Sequence, residues 1–520
     1  MIYSHKITLK SKAYLPPLRQ MICVCLLSFV SSLQAGPELQ PLNNQLTQHA
    51  SPYLALHGND PVNWQDWGDA VVDRAKAENK LIFISSGYFS CHWCHVMQRE
   101  SYSDQGIAEL LNQLAIPVKV DRELQPALDG WLIDFVQRTN GHAGWPLNVF
   151  LTPDGYPVAG FTYKPRKNFA KTLERLQLLW DRDEAYIRTT ALNNFSAMKP
   201  EPQTHSAKPP VAGMDKTMAQ LLVRHAMQFA DETAGGFGQQ NKFPMAPQLS
   251  SLIEIQQSFP DEELAVFLKL TLDQMAQLGL RDHIGGGFFR YTVDPSWETP
   301  HFEKMLYDNA QLTGIYLRAA EVFHQPGYQP DYKQIALDTL DFVIESMSAA
   351  DCATNGALDG GYIASLSAVD SHNIEGGYYL WQLDELKSVL DADELEIASL
   401  SWGIAGSPHL EAGHHLRLVK TVEEVAKQLK LPPADVSKKL EQAGEKLRQA
   451  RKKRQIPLDN KVIAAWNGLL LNSMSKAVIN TGEKRYRQAA AKLYQVLANQ
   501  FWDGNQLSRF IHDGRAGGRV

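Results

Sequence analysis

The sequence is poor in cysteine, with 5 in 520 residues. Cys23 and Cys25 lie in an apolar stretch near the N-terminus, which leaves Cys91, Cys94 and Cys352 in the body of the chain. A disulfide-stabilised scaffold needs several paired cysteines, so that class of protein is excluded. One close pair remains, suited to redox chemistry or to ligand binding. We interpret Cys352 as a bystander thiol.

The chain also lacks an excess of basic charge. Its formal net charge is −6, and without the first 35 residues, which hold four basic side chains and no acidic one, it is −10. Nucleic acids and anionic membranes attract basic surfaces, so we expect neither as a partner. With 44% hydrophobic and 21% charged residues the composition is that of a globular protein, and 520 residues predict two or more domains.

Long apolar runs are missing, apart from a short one at residues 21–30. Basic residues precede it, and small residues follow it up to Ala35, a pattern typical of an export signal cleaved before Gly36. The run is too short to cross a bilayer comfortably, which takes about 20 apolar residues. We predict a signal peptide over residues 1–35, a periplasmic or secreted protein, and no stable membrane span in the mature chain. An uncleaved membrane anchor is the alternative.

Short apolar runs alternate with helical stretches in the first half of the body, which predicts an α/β domain over residues 41–198. The strand predictions are 80–85, 116–120, 147–151 and, after turn residues 152–155, a hairpin partner at 156–159. Helices are predicted from about Cys91 and over 169–196. Residues 199–213 hold four prolines and no apolar period, which predicts a linker.

Helical spacing dominates the remainder, residues 214–520. Apolar residues recur at this spacing over 214–229, 264–280, 305–323, 332–347 and 462–499. Glycine–aromatic turns separate the stretches, at 235–237, 286–288, 360–362 and 376–378. This loose repeat predicts stacked helical hairpins, and their irregular spacing favours an α/α toroid over a strict solenoid.

The motif Cys91-His92-Trp93-Cys94 follows a predicted strand and opens a predicted helix. At a helix N-terminus the first sulfur meets unsatisfied N–H groups and the positive end of the dipole, which favour the thiolate. We therefore predict Cys91 as the nucleophile, Cys94 as the resolving thiol and His92, when protonated, as a group that lowers the pKa of Cys91. The expected partners are protein thiols or disulfides.

A proline, Pro146, stands directly before the strand predicted at 147–151, where a cis peptide bond is expected. In thioredoxin-like folds a cis-proline at this place lies beside the cysteine pair and pairs with the substrate backbone. We assign that role to Pro146 by position only.

Three other interpretations of the cysteine motif stay open. With His95 it spells the Cys-x-x-Cys-His motif of haem attachment, although Met97 is too near in sequence to be an obvious second axial ligand. A zinc site is disfavoured because no second Cys-x-x-Cys completes it. An inert buried pair is the third. The strand, the helix and Pro146 favour the redox dithiol, so we predict no metal and no other cofactor.

Several longer motifs resemble the spermatogenesis-associated, YyaL-type family, once labelled a domain of unknown function. The resemblance extends over nearly the whole chain after the signal. The motifs that carry it are Ser51-Pro52-Tyr53-Leu54, Asp60-Pro61-Val62-Asn63-Trp64, residues 90–97, Val120-Asp121-Arg122-Glu123, Gly144-Trp145-Pro146-Leu147, residues 150–155, Gly285-Gly286-Gly287-Phe288, residues 300–309 and Ala465-Trp466-Asn467-Gly468-Leu469. The resemblance implies a thioredoxin-like fold joined to a six-hairpin, glycosidase-like α/α toroid. It implies no particular substrate.

Three departures from the family pattern stand out. Gln125-Pro126 replaces an arginine–proline pair, and Ala368-Val369-Asp370-Ser371 replaces Asp-Ala-Asp-Ser. The sequence ends at Val520, where the family continues with further hairpins, so the expected toroid is incomplete at its C-terminal side.

Toroids of this kind often bind carbohydrate in a cleft lined by acids and aromatics, so carbohydrate binding or processing is the alternative function, with a structural thioredoxin-like domain. Glycoside hydrolysis needs two flanking carboxylates, and epimerisation would use a pair of bases such as His283 and His301. Without catalysis, Glu303 can be explained as capping and solvated charge near a helix start, and Asp308 as a cap or a hydrogen-bonding group within the packing. The acidic candidates are Asp282, Asp294, Glu298, Glu303, Asp308 and Asp370.

Overall fold

The computed structural model describes residues 40–198, 215–325, 329–350, 358–404, 406–408 and 410–519. The signal peptide predicted at 1–35, the linker at 199–213 and Cys352 lie outside the described residues. By its internal contacts the chain divides into Met1–Leu42 and Asn43–Val520, and the second unit is described below. No helix within the described ranges is long and apolar enough to span a membrane.

The first part of this unit is built on a four-stranded sheet. Apolar, β-branched sequence forms its two fully buried strands, β1 (Leu81–Gly87) and β2 (Ala115–Asp121). They pair in parallel, and β3 (Leu147–Leu151) and β4 (Pro157–Phe161) continue the sheet antiparallel in the order β2-β1-β3-β4. The observed strands agree with the predicted ones to within two residues.

Helices flank this sheet. Three of them start at a side chain that caps the first turn: Ser51, Cys91 and Asp104 each accept a backbone N–H. The helices are α1 (Pro52–Leu56), α2 (Asp69–Glu78), α3 (His92–Met97), which runs on into a π-helical turn (Gln98–Tyr102), α4 (Gln105–Leu114), α5 (Pro126–Asn140) and α6 (Arg166–Met198), kinked at Asp183. Strand–helix–strand, then a helix and a hairpin, is the thioredoxin-like arrangement that the sequence predicts.

Helices dominate the second part. They are α7 (Lys216–Met227), α8 (Ala246–Ser258), α9 (Glu262–Gln277), α10 (Leu306–Val322), α11 (Tyr332–Ser346), α12 (Leu383–Val389), α13 (Ala392–Trp402), α14 (Val422–Leu429), α15 (Pro433–Arg451), α16 (Ala464–Thr481) and α17 (Lys484–Val496), followed by a π-helical turn (Leu497–Phe501). Helices α8, α10 and α16 pack side by side, and each packs against the helix that follows it. This hairpin stacking confirms the α/α class; we call this part the helical domain.

Short strands join the helical hairpins: β5 (Tyr291–Thr292), β6 (Pro300–His301), β7 (Lys304–Met305), β8 (Ser365–Leu366), β9 (Leu458–Asp459), β10 (Val462–Ile463), β11 (Ser508–His512) and β12 (Arg515–Arg519). Each of three predicted glycine–aromatic turns is closed by a backbone bridge, from Ala230 to Phe237, Arg281 to Phe288 and Ser348 to Tyr362. Asn309 and Asn467, near the starts of α10 and α16, bond both the N–H and the carbonyl of Phe288 and Tyr362.

One segment departs from the sequence prediction. Helices α12 to α15 form cores of their own around Trp381 and Trp402 and around Val425 and Val436, between the second and third stacked hairpins. Helical spacing alone did not reveal them because α12 and α14 are short, and because polar and charged residues dominate α15.

Candidate functional site

The cysteine pair lies where β1 passes into α3. Cys91 is the N-cap of α3, its Sγ accepts the backbone N–H of Cys94 at 3.2 Å, and the two sulfurs are joined as a disulfide. The same N–H would stabilise a Cys91 thiolate. This is the local geometry that the sequence predicts for the pair, while the redox roles of the two thiols stay predictions.

The loop before β3 forms one wall of the site. The Trp145–Pro146 peptide bond is cis, as expected. The Trp145 ring packs against Tyr88, which follows β1, with ring centroids 6.0 Å apart, and the Arg122 guanidinium lies 3.8 Å from the Trp145 ring centroid. Arg290 of the helical domain lies over the same Tyr88 ring at 4.7 Å. The helical domain therefore reaches Tyr88, the residue against which Trp145 packs.

Glu303 connects the helical domain to the cysteine loop. Its carboxylate accepts the Tyr88 hydroxyl at 2.9 Å and the Ser90 hydroxyl at 3.1 Å, and the Arg290 guanidinium lies 3.4 Å away. Glu303 is fully buried, so it is not the solvated charge that the sequence allowed, and its carboxylate depends on those three partners and on His301, whose Nε2 lies 3.6 Å away. Cys91 itself is only 3% exposed. In this arrangement the cysteine pair is covered by the helical domain.

Two histidines and a second glutamate form the rim of the site. His301 Nδ1 donates to Glu375 at 2.5 Å, and the other oxygen of Glu375 lies 3.6 Å from His92 Nε2. Burial alone would lower the pKa of His301, but the hydrogen bond to Glu375 and the charge of Glu303 outweigh it and raise that pKa. Burial lowers the pKa of His92, only partly opposed by Glu375. His92 is thus mainly neutral at neutral pH here, which weakens its expected electrostatic effect on Cys91.

Asp308 lies beside this group of charges. Burial raises its pKa to about 7, although Arg290 and Arg122 oppose the shift. Among the described residues its Oδ2 has no hydrogen-bond partner. A carboxyl group that titrates near neutrality and keeps one oxygen uncommitted can donate or accept a proton.

A tyrosine and a lysine lie behind the cysteine pair. The hydroxyl of Tyr53 and Cys94 Sγ both crowd the Gly87 Cα, where no side chain could be accommodated. Lys119, fully buried on β2, donates to Ser85 at 2.9 Å and faces the Tyr53 ring at 5.3 Å. Burial lowers the pKa of Lys119 to about 7. The Tyr53 ring therefore lies between the buried amine of Lys119 and the Cys94 sulfur.

The other predicted residues lie elsewhere. Glu298 has a half-exposed side chain 3.5 Å from Arg417. The His283 ring donates to the Leu278 carbonyl at 3.3 Å, and burial lowers its pKa to about 3. His283 is therefore neutral and committed to the backbone, whereas His301 bonds Glu375, and the structure does not unite the two as a pair of bases.

Asp294 and Asp370 organise their own loops. Asp294 accepts the backbone N–H groups of Ser296, Glu298 and Thr299. Asp370 accepts those of His372 and Ile374. Both carboxylates therefore stabilise local turns.

A buried ionic cluster joins the two domains below the cysteine loop. Lys461, at the start of the third stacked hairpin, lies 2.6 Å from Asp121 and 2.8 Å from Glu123 at the end of β2, and 3.1 Å from Asp459. All four side chains are at most 2% exposed. One ammonium group cannot neutralise three buried carboxylates. Burial therefore raises the pKa of Glu123 from an ordinary 4.5 to about 8, and burial also raises the pKa of Asp459.

This cluster predicts a pH dependence of stability. Between about pH 4.5 and pH 8 the folded cluster keeps a proton that unfolded Glu123 has lost, so its contribution to stability falls as the pH rises through that window. Glu123→Gln cannot ionise, and we expect it to flatten the decline and to be the more stable protein above about pH 8. Urea unfolding at a series of pH values measures this. The surface variant Glu109→Gln should keep the wild-type slope, and an unchanged slope in Glu123→Gln would refute the assignment.

Sequence reasoning missed four of these residues. Lys119 interrupts an apolar strand, and a charge at a buried strand position was the available signal. Glu375 directly precedes the turn 376–378, and Lys461 precedes the motif 465–469, so both lie next to features that were noticed. Arg290 carried no local signal, because only the fold brings it to Tyr88.

The histidine that follows the cysteine pair bonds the backbone. His95 Nε2 donates to the Phe89 carbonyl at 2.6 Å, and burial lowers the pKa of His95 to about 4. Haem attachment remains the alternative interpretation of the Cys-x-x-Cys-His motif.

Comparison with known proteins places this site in a family. Residues 43–199 match the family model Thioredox_DsbH, described as "Protein of unknown function, DUF255". Two solved structures are similar to parts of the chain: a DsbH oxidoreductase (18% identity, 23% of this chain, 85% of that chain, TM-score 0.19) and a sugar epimerase from a ruminal bacterium (12% identity, 57% of this chain, 91% of that chain, TM-score 0.24).

Two curated relatives extend over both domains. An uncharacterized protein, B0495.5, of Caenorhabditis elegans is 32% identical over 91% of this chain and 67% of its own length. Human spermatogenesis-associated protein 20 is 32% identical over 92% of this chain and 64% of its own length. The chain therefore spans about two thirds of the length of these relatives. Their similarity runs through the cysteine loop and the helical domain that covers it, and the chain belongs to the spermatogenesis-associated protein 20 family.

Proposed function

We propose that the chain is a thiol–disulfide oxidoreductase whose cysteine pair is covered by its own helical domain. The observation that carries the proposal is the position of Cys91 at the N-cap of α3, with its sulfur on the Cys94 N–H. Such a position favours the thiolate, which is the reactive form. Cys94, one turn further along, is placed to resolve a mixed disulfide.

The proposed reaction transfers two electrons from the pair to a client disulfide. The Cys91 thiolate attacks one client sulfur, and the other client sulfur leaves as a thiolate and takes up a proton. The Cys94 thiolate then attacks Cys91 Sγ, which releases the client as a dithiol and leaves the disulfide seen between Cys91 and Cys94. A thiol reductant returns the pair to the dithiol, and the same steps reversed would oxidise a client.

Access is part of the proposal, because Cys91 is almost fully buried. The contacts at the cysteine loop are both polar and apolar: the Tyr88 and Ser90 hydroxyls donate to Glu303, the backbone N–H of Ala368 donates to the Ser90 carbonyl at 3.4 Å, and Met305 packs in the same apolar cluster as Cys91. The proposal therefore requires the helical domain to move away from this loop before a client disulfide reaches Cys91.

A resolving-cysteine variant tests the activity. Cys94→Ser leaves Cys91 able to attack but removes the thiol that releases the client. Mixed disulfides between Cys91 and client proteins should therefore accumulate, and a thiol reductant should cleave them. Acid quenching followed by non-reducing electrophoresis detects them. Cys91→Ser is the matched control and should trap nothing. Equal adducts in the two variants, or none in either, would contradict the proposal.

Carbohydrate binding or processing by the helical domain is the second candidate. Asp308 supports it, since a carboxyl group with a pKa of about 7 and a free oxygen suits general acid catalysis beside Glu303. Glycan binding that persists in Cys91→Ser and is lost in Asp308→Asn would favour it. Binding that depends on neither residue would count against a glycan site here.

We also propose that the protein is exported and that residues 1–35 are removed. The basic stretch, the apolar residues 21–30 and the small residues up to Ala35 support this. Mass spectrometry of the exported protein should find Gly36 at its N-terminus. A chain that still begins at Met1 would argue for the uncleaved anchor.

A further inference from the structure

A repeated turn in the helical domain provides an internal comparison. In the first copy Asp231 accepts the backbone N–H groups of Thr233 and Ala234 and bonds Lys242 at 2.8 Å. In the second copy Asp282 accepts those of Ile284 and Gly285 and bonds Lys304 at 2.7 Å. Each turn thus buries one carboxylate against one lysine from the start of the following hairpin.

The second copy contains an additional cation. Arg451, at the end of α15, makes two hydrogen bonds to Asp282, at 3.0 and 2.8 Å. A Cβ atom on Gly285 would collide with the Arg451 guanidinium, whereas the first copy carries Ala234 at that position. Asp282, Lys304 and Arg451 are each at most 5% exposed, so two cations share one carboxylate and leave a buried excess of one positive charge.

This triad lines a cavity of about 310 Å³ between the turn, α11 and α15. Tyr379 also lines it: its ring centroid lies 5.2 Å from Lys304 Nζ and 5.5 Å from Arg451 Cζ, and the side chain is 4% exposed. Among the described residues its hydroxyl has no hydrogen-bond partner. A buried phenol whose hydroxyl has no partner among the described residues therefore lies next to uncompensated positive charge.

The remaining charges around the cavity balance one another. Asp338 pairs with Arg281 at 2.8 Å, and Asp341 pairs with Arg485 at 3.0 Å. Arg448 pairs with Glu445, which lies outside the cavity. His283 is neutral at ordinary pH, and the two remaining groups, Glu345 and Lys452, are exposed and of opposite sign. The positive excess is therefore located at the triad.

We propose that this cavity binds a small organic oxyanion, with a carboxylate or phosphate group on Lys304, Arg451 and Tyr379. Cationic side chains in a desolvated pocket hold oxyanions through charge-assisted hydrogen bonds. The volume lies at the lower end of the range for small-molecule sites and exceeds what a bare anion fills, so it leaves room for a body of monosaccharide size. The site is separate from the cysteine pair and does not rest on the proposed redox activity.

Calorimetric titration of the full chain tests the site with three probes: glucuronate, inorganic phosphate and neutral glucose. We expect saturable binding of one molecule of glucuronate or phosphate per chain, and the stronger of the two identifies the preferred anion. Glucose should bind at least about tenfold more weakly, because it leaves the buried charge unpaired. No binding of either anion at millimolar concentration, or equal binding of glucose, would overturn the proposal.

Two variants keep the test tied to the structure. Tyr379→Phe removes only the free hydroxyl and should weaken anion binding by about threefold to tenfold, whereas Tyr163→Phe in the thioredoxin-like domain should not change it. Gly285→Ala introduces the residue that the first turn has at this position, Ala234. Its Cβ atom would displace the Arg451 guanidinium, so anion binding should weaken about tenfold or more. Wild-type affinity in both folded variants would show that the anion binds elsewhere.

Discussion

Replacing Lys461 with methionine is expected to destabilise the folded chain by about 3–5 kcal/mol, the usual effect of removing one partner from a buried ionic group. Lys461 is fully buried within 3.1 Å of the carboxylates of Asp121, Glu123 and Asp459. Without the ammonium group these carboxylates must either be protonated or be hydrated by water that enters the junction between the domains. Chemical denaturation monitored by tryptophan fluorescence measures the loss.

Lys492→Met is the matched control for this prediction. Its ammonium group also pairs with an aspartate, Asp359 at 3.3 Å, but both side chains are more than half exposed. A surface pair of this kind contributes at most about 1 kcal/mol. Equal effects of the two substitutions would show that the cluster around Lys461 does not hold the domains together.

Glu303→Ala is expected to expose the cysteine pair. The substitution removes the acceptor of the Tyr88 and Ser90 hydroxyls and leaves Arg290 without its buried carboxylate, a loss of about 3–5 kcal/mol. Because those contacts cover the loop that carries Cys91, iodoacetamide should alkylate Cys91 of the reduced variant at least about tenfold faster than wild type, as expected when a closing interaction of more than about 1.4 kcal/mol is lost.

The control is Glu298→Ala, which lies on the same segment but is half exposed and faces Arg417. It should leave both the stability and the alkylation rate close to wild type. Mass spectrometry of the alkylated peptide distinguishes Cys91 from the other thiols. If Glu303→Ala is destabilised but its Cys91 is alkylated no faster than in wild type under native conditions, Glu303 is a structural residue and not part of a cover.

The thioredoxin-like domain was predictable because local sequence determines most of it. The buried strand 81–87 begins with four apolar residues, two of them β-branched, and the hairpin turn at 152–155 contains proline, aspartate and glycine, which favour turns. Helices α12 to α15 were not predictable in the same way. Two of them, α12 and α14, are short, α15 is dominated by polar and charged residues, and they pack in small cores of their own.

The site was predictable only in its covalent centre. Cys91 and Cys94 are adjacent to β1 and α3, which position them, so spacing reveals them. The cis bond before Pro146 was expected from its place before β3, and the role of Pro146 beside the pair stays a prediction. Glu303 and His301 were candidates for carbohydrate chemistry, and the fold instead brings them to Tyr88, Ser90 and His92, some 200 residues earlier in the chain. No local pattern in a single sequence encodes such a contact.

The reduction potential of the Cys91–Cys94 couple is the most direct test of the central claim that this pair performs thiol–disulfide exchange. The folded chain is equilibrated in graded dithiol–disulfide buffers, quenched with acid and alkylated, and its oxidised fraction is counted by mass. We expect a potential among redox-active dithiols, between about −120 and −270 mV, where a value near −270 mV indicates a reductase and one near −120 mV an oxidase of proteins. A potential below about −300 mV, the range of structural disulfides, would contradict it.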